Sequence, residues 1–300
     1  MSIVEGYMAY ARRTPLIAGC RPEGLVNVPD LAVVLGKIIP SRLLGVYKDQ
    51  EGVLGALGIG RLRVVVHASE REYLPQHPRG FTVFKGRIED MARQACCDAD
   101  AVYLNHVHPI TGEIRDVKAI ADELSSCSRN VLLVVDLSLS AGLLNAPKLD
   151  ARHIYIYRTD KWLMGPPLVA VHGNHSLRAW SSEADPWDKK CLSASVAWVL
   201  ENLLHSSGKH GLFKALSEIS WEVDRLGLRS PTPPEESRRA AMISVHAGRS
   251  SIKVAGILAS HGIIVDVSGQ YLRISPHADI NRSAMDALLG GLADAKPLMV

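Results

Sequence analysis

Hydrophobic positions in the middle of the chain fall into short continuous runs, separated by polar turns and by longer stretches with helical spacing. Six runs read as strands: Arg63–Val66, Phe81–Phe84, Ala101–Asn105, Val131–Asp136, His153–Tyr157 and Leu168–His172. β-Branched and aromatic residues dominate them, and turn-forming residues bound them. Several are apolar throughout rather than alternating, the pattern of strands covered on both faces in a parallel sheet. Between them, Arg87–Gln94 and Asp116–Ser126 carry helical spacing, with Val117, Ile120, Ala121 and Leu124 of the second forming one apolar stripe. The pattern predicts an α/β fold with a mostly parallel central sheet flanked by helices.

Further along, the rhythm changes. A polar stretch with Pro and Trp, Ser181–Lys190, precedes a helical pattern from Leu192 to about Leu204 and then a break containing His, Ser and Gly. Arg229–Ser237, with three prolines, reads as an exposed loop. After it, Ala241–His246, a helix over Ser251–Ser260, Ile263–Val267, Tyr271–Ile274 and a helix from Arg282 to Leu292 predict a smaller α+β C-terminal domain. The expected organisation is an N-terminal segment over 1–40, a large α/β domain over 41–190 and the small domain over 191–300.

A chain of 300 residues, 47% hydrophobic and 22% charged, can bury a sizeable core. Its 34 Lys+Arg against 31 Asp+Glu leave +3, and no dense basic run interleaved with aromatics appears, so no nucleic-acid partner is expected. The opening MSIVEGYMAYARR breaks up the apolar core a signal peptide needs, and no apolar run has the length of a membrane span. A cytoplasmic protein without a membrane partner is expected. The five cysteines, Cys20, Cys96, Cys97, Cys127 and Cys191, are odd in number and lack CxxC spacing, and read as thiols of a reducing compartment. His106 with His108, and His172 with His175, are close pairs without a third ligand at site-like spacing, so no metal site is expected.

Three residues carry candidate chemistry. Asp136 ends the most apolar strand and precedes the small-residue turn LSLSAG; strand ends of this kind face the ligand crevice in open parallel sheets. Lys161 follows 25 residues later, after the strand His153–Tyr157 and beside Trp162. An apolar neighbourhood would disfavour its ammonium form and leave an amine able to form a Schiff base. Arg273, in YLRISPH, offers a guanidinium fork suited to a carboxylate. Taken singly, each has a bland reading: a turn aspartate, a solvated lysine, an arginine in a structural salt bridge.

In order, DLSLSAG, TDKWLMGP and LRISPH resemble the pyridoxal-phosphate (PLP) enzymes of the type I fold, most of all the class V aminotransferase group with its cysteine desulfurases and kynureninases. The resemblance implies that Asp136 pairs with the pyridinium nitrogen, that Lys161 forms the Schiff base and that Arg273 holds the substrate carboxylate. Thr159, Tyr73 as the stacking ring, and Gln50 in the phosphate turn are the further cofactor contacts it suggests. It also implies a homodimer acting on a small amino acid, as an aminotransferase- or lyase-type enzyme. Cys191, the lone cysteine of the C-terminal half, starts a helical pattern rather than a loop, which disfavours persulfide chemistry.

The chain also departs from that family. YKDQEGVLGALG, the phosphate-turn candidate, places Lys48, Asp49 and Gln50 where small hydroxyl residues or glycines are expected, and the N-terminal segment looks shortened. Leu139 replaces a hydrogen-bonding residue three positions after the aspartate, Pro109 stands for an Asn that Asn105, His106 or His108 would have to replace, and Asp160 stands where a His often precedes the lysine. These losses favour an alternative: a catalytically degenerate member of the fold serving as a binding or partner subunit. A nicotinamide-dependent reading of GALGIGR fails on order, because its glycines follow a helical pattern and precede a strand.

Overall fold

The structure, a computed structural model, describes residues 28–58, 61–73, 81–150, 152–163, 165–174, 183–276 and 280–299. Most of the expected N-terminal segment therefore lies outside the described residues. Two units emerge. One contains the described residues up to Pro109 together with Arg115–Val199, and the other contains Ile110–Ile114 and the described residues from Leu200 onward. The first unit takes back the chain after Ile114, and the division near 200 falls within a helix, Pro186–Asn202.

The first unit is built on seven strands: β1 (Leu43–Tyr47), β2 (Val64–His67), β3 (Thr82–Phe84), β4 (Ala101–Asn105), β5 (Leu132–Asp136), β6 (His153–Arg158) and β7 (Val169–Gly173). They lie in the order β1-β7-β6-β5-β4-β2-β3. From β6 through β5, β4 and β2 to β3 every neighbouring pair is parallel, whereas β7 runs antiparallel to both β6 and β1. β4 and β7 are buried along their whole length and β5 up to its last residue, as continuous apolar runs require. Gly173, at φ 147°, ends β7 where a Cβ would come within 2.5 Å of the His153 carbonyl oxygen, so no other residue fits.

Helices α1 (Leu31–Gly36), α2 (Gln50–Ala56), α3 (Ile88–Asp98), α4 (Val117–Ser125) and α5 (Pro186–Asn202) belong largely to this unit. In α4 the stripe Val117, Ile120, Ala121 and Leu124 is buried as predicted, and the Asp116 carboxylate caps the start by accepting the Ala119 N–H at 3.0 Å. Val53, Leu54 and Leu57 at α2 join Val64, Val66, Tyr103, Val134, Ile154 and Ile156 of the sheet in one core. Each such aliphatic side chain contributes roughly 1.5–3 kcal/mol on burial.

Two expectations are corrected here. Cys96 on α3 and Cys127 just after α4 form a disulfide with Cα atoms 5.3 Å apart, rather than standing as two free thiols; Cys97 is free and exposed, and Cys191 free and buried. A separation of 31 residues gives no hint of this pairing, which arises once α3 and α4 lie side by side. The His-, Ser- and Gly-containing break after Leu204 is a helix start, not a loop: the His205 ring accepts the Gly208 N–H at 3.0 Å and caps α6 (Ser206–Arg225).

The second unit carries α6 with the antiparallel sheet β8-β10-β9, formed by β8 (Ile243–His246), β9 (Asp266–Ser268) and β10 (Tyr271–Ile274), and the helices α7 (Ser251–Ser260) and α8 (Arg282–Ala295). This is the expected α+β composition, with β9 three residues later than its apolar run suggested.

Candidate active site

In a parallel sheet the strand ends set the site, and here β4, β5 and β6 end in register: Asn105 lies opposite Asp136, and Asp136 opposite Ile156. The chain leaving β5 is stitched to both neighbours. The His106 N–H bonds the Asp136 carbonyl at 2.9 Å, and the Leu137 N–H bonds the Ile156 carbonyl at 2.7 Å. One step on, the Ser138 hydroxyl accepts the Arg158 N–H at 3.0 Å. This places the turn that follows Asp136 against the end of the strand that leads into Lys161.

The turn bearing Lys161 is held from inside. Thr159 is fully buried: its N–H bonds the Leu168 carbonyl at 2.9 Å, and its hydroxyl donates to the Pro166 carbonyl at 2.5 Å while accepting the Leu168 N–H at 3.2 Å. The Gly165 N–H closes back on the Thr159 carbonyl at 2.9 Å, and a Cβ at Gly165 would lie 2.7 Å from Leu192. The Thr159 hydroxyl thus builds the turn. Arg158 clamps Asp160 through two bonds of 2.9 and 2.5 Å, and this pairing raises the guanidinium pKa above its ordinary value. Lys161 itself is exposed, and Trp162 beside it is half-buried. The Trp162 indole N–H is buried without a hydrogen-bond partner among the described residues. Such an orphaned donor costs about 1–3 kcal/mol unless an acceptor reaches it.

Asp136 is held by two donors. Its Oδ1 accepts the Ser138 N–H at 2.8 Å, and its Oδ2 accepts the Tyr103 hydroxyl at 2.5 Å. Gln50, the first residue of α2, donates from Nε2 to the Tyr103 oxygen at 2.7 Å. Burial first, and the Asp136 charge second, push the Tyr103 phenol well above its usual pKa. Asp136 and Gln50 are residues the sequence singles out; Tyr103 looks there like one more core aromatic of AVYLN.

Two of the expected substitutes for a missing Asn, Asn105 and His106, are committed elsewhere. Asn105 donates to Glu70, which also pairs with Arg115; the side chains of Glu70 and Arg115 are 0% and 7% exposed. Arg115 reaches Ser69 at 3.0 Å as well, and Ser69 in turn meets His67 at 2.7 Å. The His106 ring bonds the Ser140 hydroxyl at 2.9 Å, and burial pushes its pKa down to about 4. At α2 the Asp49 carboxylate accepts the Gly52 N–H at 2.7 Å and caps the helix. The Tyr73 side chain lies outside the described residues. Arg273 belongs to the second unit, where it pairs across strands with Asp266.

For a PLP ring the site therefore offers a carboxylate at Asp136, held by two donors, and an amine on the turn that follows the neighbouring strand; at α2 the Gly52 N–H is taken by Asp49. Among the described residues no group of three or more His, Cys, Asp or Glu side chains is arranged to hold a metal, and no helix is long and apolar enough to cross a membrane.

The strand order, with its parallel body and antiparallel β7, defines a PLP-dependent transferase-like fold. An apo cysteine desulfurase from Thermococcus onnurineus NA1 is similar with a TM-score of 0.69 at 16% identity, over 89% of this chain and 83% of that one. Serine palmitoyltransferase from Sphingomonas wittichii matches with a TM-score of 0.70 at 13% identity, over 96% and 86% of the two chains. An SPT structure with PLP gives 0.68 at 14% identity, over 89% and 76%. At these identities the likeness establishes the fold. No protein-family model and no curated protein sequence matches the chain.

Proposed function

We infer that the protein binds PLP and acts on a small amino acid as an aminotransferase- or lyase-type enzyme. The observation that carries this is the Ser138–Arg158 bond, which sets the Asp136 turn against the strand end leading to Lys161. When bound, the cofactor supplies an aldehyde that captures amines and a ring that draws electrons from the substrate's α-carbon. Asp136, held by its two donors, would pair with the ring nitrogen and favour its protonated form. Lys161 would supply the amine that anchors the cofactor's aldehyde and would carry a proton at the substrate's α-carbon. The Trp162 indole N–H offers its donor to an acceptor of the ligand. Arg273 as the substrate's carboxylate partner, and a homodimer as the working assembly, complete the reading.

The Asp49 cap at α2 favours a second reading, a member of the fold that has given up catalysis and serves as a binding or partner subunit. One experiment separates the two. The pure protein, incubated with PLP, is scanned for visible absorbance, reduced with borohydride and mapped by peptide mass. Enzyme chemistry predicts a stable label on Lys161 and loss of colour in Lys161→Ala. A colourless wild-type protein with no labelled peptide sinks it and leaves the second reading standing.

A further inference from the structure

Tyr103 sits on β4 with 1% of its surface exposed, and its phenol carries a single proton. Two neighbours compete for the direction of that proton. Asp136 Oδ2, 2.5 Å away, is a carboxylate oxygen that requires a donor, and Gln50 offers either an amide N–H or an amide oxygen. With the Gln50 N–H donating at 2.7 Å, the phenol oxygen accepts and its proton goes to Asp136, so both bonds are made; turning the amide round would draw the proton away and strand the carboxylate. The chain Gln50→Tyr103→Asp136 therefore has one direction. The Ser138 N–H on Oδ1 fixes the other end of the carboxylate. Because burial and the adjacent charge hold the phenol protonated far above its ordinary range, the donor persists at every working pH.

We propose that Tyr103 is a positioning residue, which fixes the plane of the Asp136 carboxylate so that its remaining lone pairs address a protonated heteroaromatic nitrogen, and that Gln50 sets the direction of Tyr103's proton. The proposal rests on the cofactor function above and deepens it. Neither residue touches the reacting atoms; both act through Asp136. A phenol at this point has a second effect: as the carboxylate's own donor, it shares the negative charge that would otherwise be offered whole to the ring nitrogen. The protonation of a bound pyridoxal ring then depends on Tyr103 as well as on Asp136.

The test uses the full chain, with PLP as the probe. Binding is titrated by absorbance for the wild type, Tyr103→Phe, Gln50→Ala and the double variant, each checked for fold by circular dichroism. Tyr103→Phe is expected to weaken binding about 10-fold and to move the pH midpoint of the visible band, which a purely packing role would not do. Gln50→Ala is expected to weaken it about 3-fold and to add nothing in the double variant, since its effect passes through the phenol. Without cofactor, the wild-type ultraviolet spectrum should carry a red-shifted tyrosine whose shift is lost in Asp136→Asn. If the wild type binds and Tyr103→Phe matches it in affinity and pH profile, the positioning role falls while the function stands. An ultraviolet spectrum indifferent to Asp136→Asn overturns the role as well. If the wild type binds no PLP, the function falls and takes this role with it.

Discussion

At the scale of single residues, His106 gives the clearest reading of environment into behaviour. Burial beside Ser140 takes its pKa from 6.5 down to about 4. Between those values the unfolded chain binds a proton that the folded chain does not, so stability falls as the pH drops through this window and is recovered above it. The loss amounts to roughly 2–3 kcal/mol. Urea unfolding at about pH 4.5 and pH 7 should therefore show a steeper acid loss for the wild type than for His106→Gln, which has no proton to take up. Asp136 and Lys161 are singled out in the sequence by the strings DLSLSAG and TDKWLMGP, and Gln50 by its place in YKDQEGVLGALG. Tyr103 is not: nothing in AVYLN marks a tyrosine whose hydroxyl lies 2.5 Å from a carboxylate 33 positions away. Nor could the order of residues reveal that the Thr159 hydroxyl builds its own turn, since that depends on how the hairpin to β7 closes.

Among elements, the Glu70–Arg115 pair ties the turn after β2 to the segment that leads into α4, with Asn105 at the end of β4 as its third member. A buried pair of this kind is costly to break from one side. Arg115→Met should cost about 3–5 kcal/mol by leaving Glu70 charged and uncompensated, whereas Arg115→Met with Glu70→Met should sit much closer to the wild type. Chemical denaturation of the two variants checks this directly. The six apolar runs of the sequence all became strands; five of them, β3 excepted, are largely buried, and such a strand announces itself by composition alone. β1 escaped, since LLGVY is short and interrupted by Gly45. α6 escaped because a capping histidine looks, residue by residue, like a loop.

On the scale of the whole molecule, the alternation of strands and helices was enough to give a mostly parallel sheet and a smaller α+β unit, but not the pairings made across long stretches of chain. The Cys96–Cys127 disulfide is one. Closing a loop across 31 positions, it should contribute about 2–4 kcal/mol, so Cys96→Ser with Cys127→Ser, or wild type under strong reductant, should unfold at visibly lower denaturant. If reduction leaves the midpoint unchanged, the bond is not formed in solution. β1 is another such pairing, and its consequence lies in time rather than in energy. Its residues are paired from Leu43↔His172 to Tyr47↔Val169, so a ribosome must add well over a hundred further residues before that strand has its partner. The parallel body of the sheet can assemble while synthesis continues, and β1 must wait at the edge until β7 emerges to receive it.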